Sequence, residues 1–247
     1  MVPNPVLAVV AGLLVAQLAT LVTTVWMHRT LSHRAMSVGP AATWVFRVLT
    51  WITTGIRPRQ WVAVHRKHHA FTDVEGDPHS PLLVGFWRVQ LNNVGLYRRV
   101  ARDELSVARY ARDLKPDRWD RMFFDHALVG LGVGIAILVV AFGPLWGAVA
   151  AVVHTVSYLM LNASINAVGH RFGSQPHDNT ARNLQWLALL TMGEGLHNNH
   201  HGAPTSARLA LQPGEIDPGW WLVRFLERVG LATVRHRDAV LKDRAAA

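Results

Sequence analysis

Every charged side chain of this chain lies in residues 28–125 or 166–247, which hold all 25 Lys and Arg and all 16 Asp and Glu. Residues 1–27 and 126–165 contain none and are strongly apolar. A run of roughly 20 apolar residues matches the hydrocarbon thickness of a bilayer, where every backbone amide must be satisfied within a helix. The first run, PVLAVVAGLLVAQLATLVTTVWM, therefore reads as a membrane span over residues 5–27. No basic segment precedes it and no small-residue cleavage site follows it, so it is expected to be an anchor and not a signal peptide. The second run, ALVGLGVGIAILVVAFGPLWGAVAAVVHTVSYLMLNASI, is long enough for two spans, 127–143 and 145–165, joined at the Gly-Pro of FGPLWG.

Residues 41–56, AATWVFRVLTWITTGI, are also apolar but include Arg47 and are followed by Arg57 and Arg59. An unpaired Arg at the bilayer centre costs at least about 2.5 kcal/mol, so this segment is expected to lie in the membrane interface. The fold class that follows is all-α: an integral membrane protein of about three transmembrane helices, one domain over 1–247, with a helical cap formed by residues 28–125 and 166–247. One span followed by a hairpin leaves both charged regions on the same side. The first holds 16 Lys and Arg against 9 Asp and Glu, the second 9 against 7, and the opposite side has no Lys or Arg. The positive-inside rule puts both in the cytoplasm of a cell (inner or plasma) membrane protein. It also accounts for a net charge of +9 without nucleic acid as a partner, since no recognition motif accompanies the charge.

The cap regions hold clustered histidines. HRTLSH supplies His28 and His33, HRKHH supplies His65, His68 and His69, NAVGH supplies His170, and HNNHH supplies His197, His200 and His201. Positions i and i+4 of an α-helix lie about 40° apart, so His65 pairs with His69 and His197 with His201, while His68 and His200 point elsewhere. One helix end can thus serve two adjacent metals. The i,i+5 spacing of His28 and His33 fits no single α-helical face, and the helix is expected to end between them. Neutral imidazole suits Fe, Zn, Cu and Ni, and no Cys is present to compete. His126, His154 and His236 read as surface or hydrogen-bonded core residues, His154 as one that caps or bridges helices. His79 and His177 read as supporting or structural. Asp73, Asp77 and Glu194 lie close to the boxes, either as solvated loop charges or as acceptors of a ligating imidazole's other N–H. Arg66, Lys67, Arg98 and Arg99 are at minimum positive-inside residues near acidic lipid.

With these boxes and the flanking TDVEGDPHSP, NAVGHRFG, GEGLHNNHH and PTSAR, the chain from HRTLSHRAM to FLERVGLA resembles bacterial membrane fatty acyl desaturases of the stearoyl-CoA type. The resemblance implies a nonhaem enzyme with two Fe ions that uses O2 to insert a cis double bond into a long-chain acyl substrate, an acyl-CoA at the Δ9 position. It makes His28, His33, His65, His68, His69, His170, His197, His200 and His201 the iron ligands, with Asn166 reaching one metal through water. YRR resembles a basic pair that contacts the acyl carrier, which would make Arg98 and Arg99 substrate contacts. No side-chain base can deprotonate an unactivated methylene, so such chemistry needs the metal.

Several features depart from the family pattern. One span precedes the first His box where larger relatives carry two, Leu196 stands where Trp is frequent, and Gly202-Ala203 replaces a bulkier pair. The stretch after Leu231 is short and basic, so electrons are expected from a separate ferredoxin, cytochrome or flavoprotein reductase. A related diiron hydroxylase or alkane monooxygenase is the alternative reading. A metal transporter would need ionisable groups along the spans, which offer only His154.

Overall fold

The structure is a computed structural model that describes residues 4–236 and 239–241, so part of the basic stretch after Leu231 lies outside the described residues. Helix α1 (Pro5–Val22) starts on Asn4, whose side chain accepts from the Val6 and Leu7 amides, with Pro5 at the first helical position where its missing N–H costs nothing. The same rod continues as π-helix from Thr23 to Ser32. There follow β1 (Met36–Val38), α2 (Pro40–Thr54), α3 (Pro58–Ala70), α4 (Pro81–Val84), α5 (Phe86–Ala101) and α6 (Glu104–Tyr110). After a π-helical turn at Asp120–Phe124 come α7 (Ala127–Ala167), α8 (Gln185–Leu190), α9 (His197–Gly202), α10 (Pro218–Arg228) and β2 (Ala232–Val234). β1 and β2 pair antiparallel with Met36 opposite Val234, which ties the chain after α10 to the segment after His33.

The π-helix corrects the expectation that the helix ends between His28 and His33. It runs through both turns, and the His33 amide closes a 3.1 Å bond to the His28 carbonyl. An i→i+5 hydrogen-bonding repeat brings residues five apart onto one side of the rod, where an α-helix would separate them.

Within α7 the chain turns back on itself. Gly143 adopts φ 79°, ψ 167°, which only glycine takes without strain, and Pro144 follows. A Cβ placed on Gly147 would lie 2.4 Å from the Cα of Val139, whereas eight residues of unbroken helix would separate them by about 12 Å. The two limbs form a hairpin at FGPLWG, and the second continues to Ala167. Small residues let α1 dock on it: a Cβ on Gly12 would lie 2.5 Å from the Ala150 carbonyl, and Ala8 and Ala150 are fully buried. α2 lies against the first limb, where a Cβ on Gly134 would come 2.0 Å from the Ile52 carbonyl.

Two helical stretches, Pro5–Ser32 and Ala127–Ala167, are long and apolar enough to cross a membrane. Only 11% of the most apolar window of the second is buried, and Leu128, Val140, Leu145 and Val152 stand exposed. Aliphatic surface on that scale favours lipid over water as its solvent, consistent with a membrane protein. α2, with 15 residues, is short for a span, and its Arg47 is paired with Asp117 at 2.8 Å and Asp120 at 2.6 Å.

Candidate metal centre

Four segments converge below the helical rods: the π-helix with His28 and, at its C-cap, His33; α3 with His65, His68 and His69; the turn after α7 with His170; and α9 with His197, His200 and His201. The ligand nitrogens of His28, His33, His65, His69 and His200 all lie within 4.8 Å of one another, and so do those of His68, His170, His197 and His201. All nine imidazoles singled out in the sequence are thus brought together, in groups of five and four. Each HxxHH box divides between the groups, because neighbouring positions leave the helix in different directions.

Within the groups, Nε2 meets Nε2 at 3.1 Å for His28 and His200, 2.7 Å for His33 and His65, 2.9 Å for His200 and His69, and 3.1 Å for His197 and His170. The tautomers of His28, His68 and His170 are set from outside. Their Nδ1 atoms donate to Glu194 at 2.7 Å, to Asp77 at 3.0 Å and to Asp73 at 2.8 Å. Each of these rings therefore presents a bare Nε2 lone pair inward. Where the facing ring also carries its proton on Nδ1, the two Nε2 lone pairs cannot hydrogen-bond each other, and a cation is the partner that suits them. Cis donors around an ion with bonds of about 2.1 Å stand about 3.0 Å apart, which matches the spacing here. The donor set fits a metal site.

Electrostatics favours the same state. Burial, followed by mutual repulsion of the clustered rings, holds His65, His69, His197, His200 and His201 well below the ordinary histidine value, so they are neutral and able to bind metal. Burial alone would raise Asp73, Asp77 and Glu194, but interactions with His170, His68 and His28 respectively lead the effects that hold them below the ordinary carboxylate range. These three carboxylates are bound acceptors and not solvated loop charges.

A further set of contacts, which the sequence reading missed, holds the elements in register. Arg29, 1% exposed, forks onto Asp217 at 2.8 and 3.1 Å and also donates to the carbonyls of Ala207 and Met192. Asp217 in turn caps α10 through the Trp220 amide. Arg66 reaches the Leu31 and Ser32 carbonyls at the end of the π-helix and pairs with Asp113, so it clamps the segment carrying His33 against α3. The two Asn residues between the third-box histidines face outward from the metal groups. Asn198 donates to Ala181 and His177 carbonyls, and Asn199 to Leu209 and Glu215. The one available signal was Arg29 itself, a charge at the end of an apolar helix that needs a named partner.

A cavity of about 270 Å³ opens beside the first group, with His28, His65, His79, His197, Asn166 and Arg98 among its walls and Ile56, Leu131 and Leu159 as apolar surface. Arg99 is exposed on α5 next to it and is not among the lining residues. His79 packs on His68 with ring centroids 4.8 Å apart, and burial pushes it down to about 3. His177 bonds through its backbone to Asn198 and packs where a Cβ on Gly202 would lie 3.1 Å away, which accounts for glycine there. Leu196 is buried with Ala188 and Leu209. His154 bridges helices, its Nε2 bonding the Thr53 carbonyl at 2.8 Å. His126 is tied in through its backbone, its amide donating to the Phe123 carbonyl and its carbonyl accepting from Trp51 Nε1, and His236 lies outside the cluster beyond β2.

Comparison with known proteins agrees with this geometry. Residues 3–213 match the family model described as fatty acid desaturase. The chain belongs to the fatty acid desaturase family. The resemblance read from the His boxes and their flanks is borne out at that level. Among relatives of this desaturase, the sn-1 stearoyl-lipid 9-desaturase of Synechocystis sp. is 32% identical over 215 residues, 85% of this chain and 65% of its own length. The Delta-9 desaturase-like 2 protein of Arabidopsis thaliana is 34% identical over 90% of this chain and 74% of its own. The Acyl-CoA C20 Delta5-desaturase of Anemone leveillei is 32% identical over 85% of this chain and 68% of its own. The desaturase thus spans about two thirds to three quarters of the length of these relatives.

Proposed function

We propose that this desaturase inserts a cis double bond into a long-chain fatty acyl group, at the Δ9 position, with two iron ions held by the nine histidines. The observation that carries the reading is the pair of imidazole groups, five and four nitrogens within 4.8 Å, alongside a cavity with an apolar wall. The names of two of the relatives support the Δ9 position. The balance is one O2, two electrons and two protons, with a CH2–CH2 unit becoming CH=CH and two waters leaving. Bound iron supplies the oxidising power that breaks unactivated C–H bonds, for which no side chain suffices.

The chain's own residues supply position and tautomer. His28, His33, His65, His69 and His200 hold one ion; His68, His170, His197 and His201 hold the other. Asn166, one turn before His170 and on the cavity wall, completes the smaller set through water. Glu194, Asp77 and Asp73 keep the ligating rings in one tautomer and restrain their orientation. Arg98, on the cavity wall, and Arg99 beside it face the carrier of the acyl chain, an acyl-CoA or an acyl lipid. The electrons come from a separate ferredoxin, cytochrome or flavoprotein reductase.

The whole chain forms one domain with three spans, the α1 rod and both limbs of α7, and the metal centre faces the cytoplasm of the cell membrane. The absence of Lys and Arg from residues 1–27 and 126–165 supports that orientation. Cysteine labelling at Pro144→Cys and Arg109→Cys checks it in a chain without native Cys; opposite sides are expected, and labelling from one side contradicts the orientation. Expression in a strain auxotrophic for unsaturated fatty acids, with fatty acid profiling, tests the reaction. Growth with new monounsaturated chains is expected, whereas hydroxylated chains would transfer the assignment to a diiron hydroxylase.

A further inference from the structure

α5 breaks at Asn92, φ −117° and ψ 29°, and the turns beyond the break direct Asn93, Val94, Tyr97 and Arg98 at the cavity. These positions form one stripe, spaced as neighbours on a helical face. Among the described residues the enclosed Tyr97 hydroxyl has no hydrogen-bond partner, on a side chain that lines the cavity. Tyr158 lines the same cavity from α7, and its hydroxyl is paired with Thr23 at 2.9 Å. A buried hydroxyl left unpaired is a cost that a folded chain rarely keeps without a use for it. Burial raises the Tyr97 phenol above its ordinary value, so it stays protonated and offers a donor.

The cavity walls say what would take that donor. Ile56, Leu131 and Leu159 suit a hydrocarbon, and His28, His65 and His197 bring the metal centre to the same space. An acyl chain has no polar atom along its length except the carbonyl oxygen that joins it to its carrier, and that oxygen only accepts. We propose that Tyr97 is a substrate-recognition residue: when substrate enters, a rotation of its side chain brings the enclosed Oη to the cavity surface, where it donates a hydrogen bond to the acyl carbonyl oxygen, thioester or ester, with Arg98 beside it toward the carrier. The inference rests on the desaturase reading above and adds an anchor to it. A carbonyl pinned at one point fixes how many methylenes lie between it and the metal centre. Tyr97 then helps to set which bond is oxidised as well as how tightly substrate is held.

The test compares wild type, Tyr97→Phe and Tyr158→Phe in iron-loaded membranes, supplied in separate arms with stearoyl-CoA and with stearoyl-phosphatidylcholine. On whichever carrier wild type uses, Tyr97→Phe is expected to raise KM about three- to tenfold. Iron content and the thermal midpoint should hold, because no intramolecular bond is lost, and the double bond should spread to adjacent positions. Tyr158→Phe, which loses its bond to Thr23, should lower the midpoint. A Tyr97→Phe enzyme with wild-type KM and a single wild-type double-bond position overturns the proposal, as does a midpoint that falls with the rise in KM. Absence of product from wild type on both carriers would instead count against the desaturase reading itself.

Discussion

His28 and Glu194 meet through a buried 2.7 Å hydrogen bond, Nδ1 to Oε1, across 166 residues of sequence. Thr24, one turn earlier on the π-helix, donates to the same carboxylate oxygen. Glu194 therefore fixes the ring of one prospective ligand and the rod that carries it. Glu194→Ala is expected to weaken metal binding about 10- to 100-fold, with Glu194→Gln intermediate because its amide oxygen still accepts. Metal retained against a graded chelator series measures this, and the loss should fall on the five-histidine group, since His170 and His68 keep Asp73 and Asp77.

Arg29 and Asp217 form a second long-range tie, both nearly inaccessible. Removing one partner strands the other charge in the interior, which costs about 3–5 kcal/mol. Asp217→Ala also removes the α10 cap. Either single variant should show a markedly lower thermal midpoint in detergent, and a wild-type midpoint would mean that the pair does not hold α10 to the π-helix.

The fold and the metal centre were legible to different depths. Charge-free runs marked the α1 rod and the α7 hairpin because lipid admits no other pattern, and Gly143-Pro144 marked the reversal. The nine histidines stood out because imidazoles at helical spacing have few other uses. What stayed hidden depends on backbone conformation or distance. The π-helix that aligns His28 with His33 leaves no mark in residue propensities. TDVEGDP offers three carboxylates in a row of five, and only the folded loop, with Asp73 at φ 58° and Gly76 at φ 104°, turns Asp73 to His170 and Asp77 to His68. Arg29 and Asp217 are 188 residues apart, beyond any local pattern.

Acid should unload the site. Burial lowers the folded-state values of His65, His69, His197, His200 and His201, while the unfolded chain takes up protons near its ordinary histidine value of about 6.5. The unfolded state then binds more protons below that point, so stability is fullest above about pH 6.5 and falls as pH drops through it. Asp73, Asp77 and Glu194 have lowered values, and their contribution persists until much stronger acid. Thermal midpoints of metal-stripped protein should decline between about pH 7 and pH 5, whereas loaded protein, whose folded ligands take up protons only in stronger acid, should release its metal below that interval. A flat profile there would contradict the burial of neutral rings.

His170 is the one prospective ligand outside a multi-histidine box, and Asn166 sits one turn before it. His170→Ala should abolish desaturation while leaving membrane insertion intact. Asn166→Ala should keep iron but lose roughly 10- to 100-fold in activity. His236→Ala, beyond β2, should be nearly silent. Product yield at matched protein levels separates the three, and wild-type yield from His170→Ala would remove it from the ligand set.

Two metal ions per chain is the claim on which the rest depends. Quantitative metal analysis of protein purified anaerobically from iron-replete cells, paired with activity on the same sample, tests it most directly. The account predicts two irons per chain, falling toward one when either His33→Ala or His197→Ala depletes its own group, with activity lost in both. One tightly bound metal per chain in fully active wild-type protein would contradict it.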